Sequence, residues 1–285
     1  MKQNRMLPYI FISPSILILV VVVLIPVLSI LVLSFCKTNL ISNFRFVGLD
    51  NFRELFFEDP YFWQVVKNTI IWTISSVALE YGISLGIALL LNRDVPGKKF
   101  FRGIMLLPWI IPPVTAALIW LTFYDPNNGV FNFFLGKMGL PPRAWLVEQN
   151  LVLPSLIAIA VWKYGPFMTV ALLSGLQGIP EELYEAAAVD GATGWKVFRH
   201  VTFPILMPIT SVLIILGTIW RAGHFDLVAL LTGGGPANAS HLLSTYSYNA
   251  LNLNLQAGLS SAIALVGVLG LAIFMVLYIK KVRRD

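Results

Sequence analysis

Charge is what this chain has least of. Only 12% of its 285 residues are Asp, Glu, Lys or Arg, against 57% hydrophobic, and the mean hydropathy is +0.78. A water-soluble domain carries roughly a quarter charged residues, so the composition excludes one and makes lipid the main solvent. Cysteine occurs once, as Cys36, which excludes an internal disulfide and leaves the redox compartment unread. The bulky Phe35 before it makes a poor lipid-attachment context. Histidine occurs three times, at 200, 224 and 241, without metal-ligand spacing, and there is no zinc-type Cys/His set. The glycine run LLTGGGPANAS (230–240) has no Gly-Lys-Ser/Thr, so it is no phosphate cradle. Ser, His and Asp are scattered over different connections without a catalytic constellation, which argues against an enzyme. Basic residues form short flanks and no stripe interleaved with aromatics, which excludes a nucleic-acid partner.

What the chain does have is long apolar runs. A hydrocarbon core about 30 Å thick needs roughly 20 apolar residues in a helix. Six stretches qualify: Ile10–Ser34, Val66–Leu91, Gly103–Phe123, Leu151–Ser174, Val201–Trp220 and Gly258–Ile279. Each is expected to span as a helix, since a helix satisfies its own backbone in lipid, and the lack of strict alternation argues against a barrel. The first run is too long for a signal-peptide core and has no small-x-small cleavage site after it. The expected class is an all-α, multi-pass membrane protein. Lys and Arg set its orientation. With the N-terminus inside, segments 1–9, 92–102, 175–200 and 280–285 hold 12 Lys or Arg in 52 residues, while 35–67, 124–150 and 221–257 hold 7 in 97. Both termini are therefore expected in the cytoplasm.

Several runs carry groups that lipid disfavours. Pro108, Pro112 and Pro113 in LLPWIIPP remove backbone donors from the third span, as do Pro166 in the fourth and Pro204 and Pro208 in the fifth. Such breaks are either absorbed by neighbouring helices or serve helices that line a path and rock. Glu80 and Lys163 lie near the middles of the second and fourth spans, where a charge costs about 2.5–3.5 kcal/mol. They either pair with each other or with backbone, or they line a polar pathway. Trp162, Tyr164 and Phe167 around Lys163 suit a ligand with apolar faces and hydroxyls, such as a sugar ring. In the fifth span Gly217, Trp220, Arg221 and His224 share one helical face, with Asp226 following. That face reads as a substrate wall or as an interfacial anchor.

Between the fourth and fifth spans lies LSGLQGIPEELYEAAAVDGATGWKVFRH (173–200), which is cytoplasmic in this orientation. Pro180 suits a helix first turn with Glu181 and Glu182 at its positive end, and Gly191 suits a left-handed stop. Thr193 is placed to cap a second helix through Trp195 to His200. The central alanines leave a low surface onto which another protein can pack closely.

This segment resembles the "EAA" loop of bacterial ABC importer permeases: Glu185-Ala186-Ala187, then Asp190-Gly191-Ala192, Phe203-Pro204 and Pro208. FVGLDNF (46–52), LPWIIPP (107–113), YDPNNGVFN (124–132), VWK-x-x-PF (161–167) and LTGGGPANAS (231–240) are similar to the carbohydrate branch, at matching spacing over nearly the whole chain. Within that branch the chain resembles the maltose-type first permease, without its large extra outer domain and additional N-terminal helices. The resemblance implies a type I ABC importer permease fold with six transmembrane helices. Residues 1–65 would form the N-terminal helix and first outer loop, and 66–285 the permease core with the EAA loop at 178–204. It implies a bacterial inner-membrane location, a second permease as heterodimer partner, two ATP-binding subunits and an extracytoplasmic solute-binding protein. ATP and Mg would be bound by the partner ATPase and no cofactor by this chain. Glu185, Ala186, Ala187, Asp190 and Gly191 would couple to the ATPase. Lys163, Tyr164, Phe167, Gly217, Trp220, Arg221 and His224 would line the path of a sugar, glycerol-phosphate or another small polar solute. Two rival classes stay in play on the residues alone, an ion-coupled carrier that would use Glu80 and a membrane-embedded enzyme.

Overall fold

The computed structural model describes residues 7–40, 44–93 and 96–282, so the terminal residues that bear most directly on orientation lie outside the described residues. Helices α1 (Leu7–Leu19) and α2 (Ile25–Leu33) run on through a π-helical turn at Val20–Leu24. The turn sits where Pro26 withholds its N–H from the ladder. No residue of α2 is buried and Phe11, Leu17 and Val22 face outward, as an all-round apolar helix in lipid would. A two-residue hairpin, β1 (Cys36–Lys37) and β2 (Arg45–Phe46), leads to the short α3 (Asp50–Arg53) and a π-helical turn at Glu54–Glu58. Next come α4 (Phe62–Asn92), α5 (Lys98–Ile110), α6 (Pro113–Phe123), α7 (Val130–Lys137) and α8 (Gln149–Gln177). The remainder is α9 (Glu181–Val189), α10 (Trp195–Val197), a π-helical turn at Phe198–Thr202, α11 (Phe203–Ala222), α12 (Asp226–Leu231), α13 (Leu243–Asn252) and α14 (Ala257–Val282).

Among the described residues, five helical stretches are long and apolar enough to cross a membrane: Phe11–Leu33, Phe62–Asn92, Gln149–Gln177, Trp195–Leu231 and Ala257–Lys281. The expected third span is instead two helices, α5 and α6, bent by 98°. Pro112 and Pro113 explain the break. Neither can donate to a preceding turn, and Ile111, which precedes a proline, leaves the helical region at φ −60°, ψ 130°.

The chain divides into two compact units. The first comprises the residues up to Trp63 with Tyr246–Gly270. The Asn51 side chain donates to Ser34 O (2.8 Å) and Cys36 O (3.0 Å), and Ala257 N donates to Thr38 O (2.9 Å). Cys36 is buried here. Asp59 caps α4 by accepting from the N–H groups of Tyr61 (2.8 Å) and Phe62 (3.1 Å), and takes the Tyr246 hydroxyl on its other oxygen (2.6 Å). Burial first, and the Asp59 carboxylate second, hold the Tyr246 phenol above its ordinary range. A Cβ on Gly258 would collide with the Cys36 carbonyl and lie 3.1 Å from Asn51 Nδ2. Gly258→Ala is therefore expected to lower stability by about 1–3 kcal/mol, the usual cost of overpacking. A melting curve of the purified variant checks this, and an unchanged midpoint would rule the close contact out.

The second unit holds Gln64–Thr245 with the residues from Leu271. Its core has two centres. One gathers Trp72, Trp120, Leu156, Leu227 and Leu242, and the other Ala88, Met168, Leu172, Leu206 and Leu213. Small residues let α8 and α11 approach: a Cβ on Gly175 would lie 3.0 Å from Leu206 Cδ2, and one on Gly217 would lie 2.7 Å from Met168 Cε. The glycine-rich segment after α12 folds back on α4. Asn68 donates to Asn238 O (3.0 Å) and His241 O (3.3 Å), and Thr232 Oγ1 meets Ser240 Oγ at 2.8 Å. Burial keeps the His241 imidazole below its ordinary pKa.

Candidate functional site

The break between α5 and α6 strands carbonyls inside the protein, and Lys163 on α8 answers them. Its Nζ donates to Ile111 O at 2.5 Å and Pro108 O at 3.4 Å, and the side chain is 2% exposed. A buried acceptor without a partner costs about 1–3 kcal/mol, so the ammonium stabilises the bend. Lys163→Met is expected to lower the melting temperature through that cost. A raised KM for transport at an unchanged melting temperature would instead assign the amine to substrate.

Tyr164, one residue on, is the hub of the cluster. The Arg221 guanidinium of α11 lies 3.9 Å from its ring centroid, Lys163 Nζ 5.3 Å, and the His224 ring meets it edge-on at 5.6 Å. A cation on an aromatic face is held by the ring quadrupole, more strongly when desolvated, and Arg221 is 3% exposed. Its Nε points to Glu80 Oε1 at 3.6 Å. Glu80 and Lys163 thus do not pair with each other: Glu80 takes Arg221 and Lys163 takes backbone. His224 Nε2 accepts from Leu227 N (3.4 Å), while its carbonyl accepts from the Ser244 hydroxyl. A second aromatic group lies alongside, with Phe167 between Trp109 of α5 (5.7 Å) and Trp220 of α11 (5.4 Å). Trp220 keeps an exposed edge.

Of the residues read from sequence as a substrate path, Lys163, Tyr164, Arg221 and His224 come together, and Phe167 and Trp220 form the neighbouring pair. Gly217 is at neither. It lies at the helix crossing under Met168 and Val77. Two contributors went unread. Trp72 of α4 stacks on His224 (5.3 Å) and donates its indole N–H to Arg221 O (3.0 Å), a carbonyl at the end of α11 that also accepts the His224 N–H (3.1 Å). Trp109 is the other. Both sit in apolar runs where an aromatic carries no signal of its own.

The loop between α8 and α11 is a helix–turn–helix. Pro180 is the residue before α9, and Gly191 adopts φ +73°, the left-handed stop. Thr193 does not cap the next helix with its side chain. Gly194, at φ +51°, occupies that position, a conformation only glycine adopts cheaply. Glu185, Ala186 and Asp190 are exposed, whereas Ala187 is buried. Tyr184 anchors the helix through its hydroxyl to Thr202 Oγ1 (3.3 Å). Val189 (88% exposed) and Trp195 (71%) project outward, too apolar to be left there by water alone. Among the described residues no three His, Cys, Asp or Glu side chains gather as metal ligands.

Comparison with known proteins agrees with this architecture. Residues 82–282 match the family described as binding-protein-dependent transport system inner membrane component. The trehalose/maltose transport system permease protein MalF of Thermococcus litoralis is 35% identical over 99% of this chain and 96% of its own. The sn-glycerol-3-phosphate transport system permease protein UgpA of Agrobacterium fabrum is 31% identical over 98% of this chain and 96% of its own. A chain of a bacterial alginate ABC transporter, solved in complex with an alginate pentasaccharide-bound periplasmic protein, superposes with a TM-score of 0.84 at 25% identity, covering 98% of this chain and 94% of that one. The readings as an ion-coupled carrier and as an embedded enzyme fall with these matches. The chain belongs to the binding-protein-dependent transport system inner membrane components: it is a multi-pass ABC importer permease, with up to six candidate spans among the described residues when α5 and α6 count as one, and not an enzyme.

Proposed function

We propose that the chain imports a sugar and forms half of the translocation path beside a second, different permease. The observation that carries this reading is the end-to-end match to a trehalose/maltose permease. It is supported by the buried cluster of Tyr164, Arg221, His224 and Lys163 next to the rings of Phe167 and Trp220, since ring faces beside hydrogen-bond donors suit a pyranose. Both termini lie in the cytoplasm, a placement that the Lys/Arg bias supports. Two ATP-binding subunits dock on α9 through Glu185, Ala186, Ala187, Asp190 and Gly191, and hold the ATP and Mg; this chain binds no cofactor. A solute-binding protein delivers the sugar from the opposite side. Closure of the ATPases then moves α9, and through the turn at Phe198–Thr202 it moves α11 and the cluster. The cations Arg221 and Lys163, with relatives named for glycerol phosphate and alginate, favour an anionic solute as the second reading. The test is to purify the tagged chain from its own operon, reconstitute what accompanies it, and measure uptake. Copurification of a permease and an ATPase, with ATP- and binding-protein-dependent sugar uptake, is expected. A chain that runs alone and carries solute on an ion gradient would overturn the reading.

A further inference from the structure

Within the second unit, α4 carries hydroxyls that behave unlike the rest. Thr69, Thr169 and Thr218 each return their hydroxyl to the carbonyl four residues back, at 2.8, 3.1 and 2.7 Å, the ordinary solution for threonine in a membrane helix. Thr73 Oγ1 and Ser76 Oγ make no such bond and no other, although the residues are only 8% and 0% exposed. Glu80 Oε1 and Arg221 Nε and Nη1 are also buried without a hydrogen bond, because the 3.6 Å between Nε and Oε1 is too long for one. These groups converge. Trp72, Ser76 and Glu80 follow one another at intervals of four, hence on one face of α4; Trp72 meets the main-chain carbonyl of Arg221 and Glu80 faces its guanidinium. Ser76 is bracketed between them and Thr73 lies one turn away. Buried polar atoms almost always have partners, and five orphans in one place call for a guest.

We propose that Thr73, Ser76, Glu80 and Arg221 form a binding site for a hydroxyl group, either that of an ordered water or one borne by a passing polyol. Only such a group meets both ends of the site, accepting from the guanidinium and donating to the carboxylate. A bare anion would be repelled by Glu80 and a cation by Arg221. Water fills the site in the resting protein, or a sugar hydroxyl reaches it during transport. The second source rests on the import reading above and the first does not.

The assembled transporter in nanodiscs tests this with Ser76→Ala, Thr73→Val and the hydroxyl-retaining Thr73→Ser. If water is resident, the substrate-free melting temperature falls by about 2–4 °C in the first two variants, is spared in Thr73→Ser, and KM for uptake stays put. If the guest is a sugar hydroxyl, substrate-free melting is unchanged or raised and KM rises about 2- to 10-fold. Unchanged or raised melting together with an unchanged KM means that the hydroxyls are dry and the proposal is wrong. Should no sugar be carried at all, the import reading fails, and the melting arm alone decides: a fall supports a resident water, no fall overturns the site.

Discussion

Glu80→Gln is expected to abolish transport and to destabilise the chain by about 3–5 kcal/mol, the cost of stranding one member of a buried ion pair. The Glu80 and Arg221 side chains are 1% and 4% exposed, so bulk solvent does not replace the lost charge. The defect should be asymmetric. A carboxylate left alone in a buried site can bind a proton, whereas a guanidinium cannot shed one, so Arg221→Met should cost less than Glu80→Gln. The contribution of Arg221 to the Tyr164 ring, about 0.5–2 kcal/mol, narrows that gap without closing it. Against a total stability of roughly 5–15 kcal/mol, either loss is large. The double variant Glu80→Gln/Arg221→Met removes both charges and should recover most of the stability, because apolar or neutral replacements of a whole buried pair are often tolerated. Melting of the two single variants and the double in lipid nanodiscs checks all three. Strict additivity of the singles would show that the two side chains do not interact.

Why that pair was not legible from sequence is itself physical. Each span was readable because some twenty apolar residues in a row have one use in a chain this poor in charge. The prolines of LPWIIPP announced a break, but a 98° bend depends on what satisfies the freed carbonyls, and Lys163 comes from another helix. The same holds for Glu80: its two candidate cations, Lys163 and Arg221, sit on different helices, and only their packing decides between them. Local features fared better. Gly191 was readable as a left-handed stop because its role is set by its own backbone, and the cap one turn on moved from Thr193 to Gly194 by a single residue. For the substrate-path group, helical spacing placed Gly217, Trp220, Arg221 and His224 on one face. Three-dimensional packing then divided that face among a helix crossing, an aromatic pair and an ion pair.

Glu185→Lys and Ala187→Trp are both expected to reduce ATP-driven uptake at least about tenfold, a loss of about 1.4 kcal/mol or more, yet for different reasons. Glu185 is exposed on α9, so reversing its charge leaves the chain folded and, on the proposed coupling role, acts on the ATPase contact. Surface substitutions of this kind usually shift stability by no more than about 0.5 kcal/mol. Ala187 faces the other way. It is buried, and its carbonyl accepts the Ala192 N–H at 2.9 Å across the turn that follows α9. An indole there must push α9 off its seat, strain the Tyr184–Thr202 contact and tilt the turn leading into α11. Melting and copurification separate the two. Glu185→Lys should melt like the unaltered protein and lose its ATPase on purification, while Ala187→Trp should melt lower whether or not the ATPase remains. The neighbouring Ala186→Trp supplies the contrast, since Ala186 is exposed and a ring there would obstruct the proposed docking without disturbing the turn. It should resemble Glu185→Lys. Normal uptake in both Glu185→Lys and Ala186→Trp would leave the exposed face of α9 without a coupling role, and motion from the ATPase would have to enter the membrane helices elsewhere.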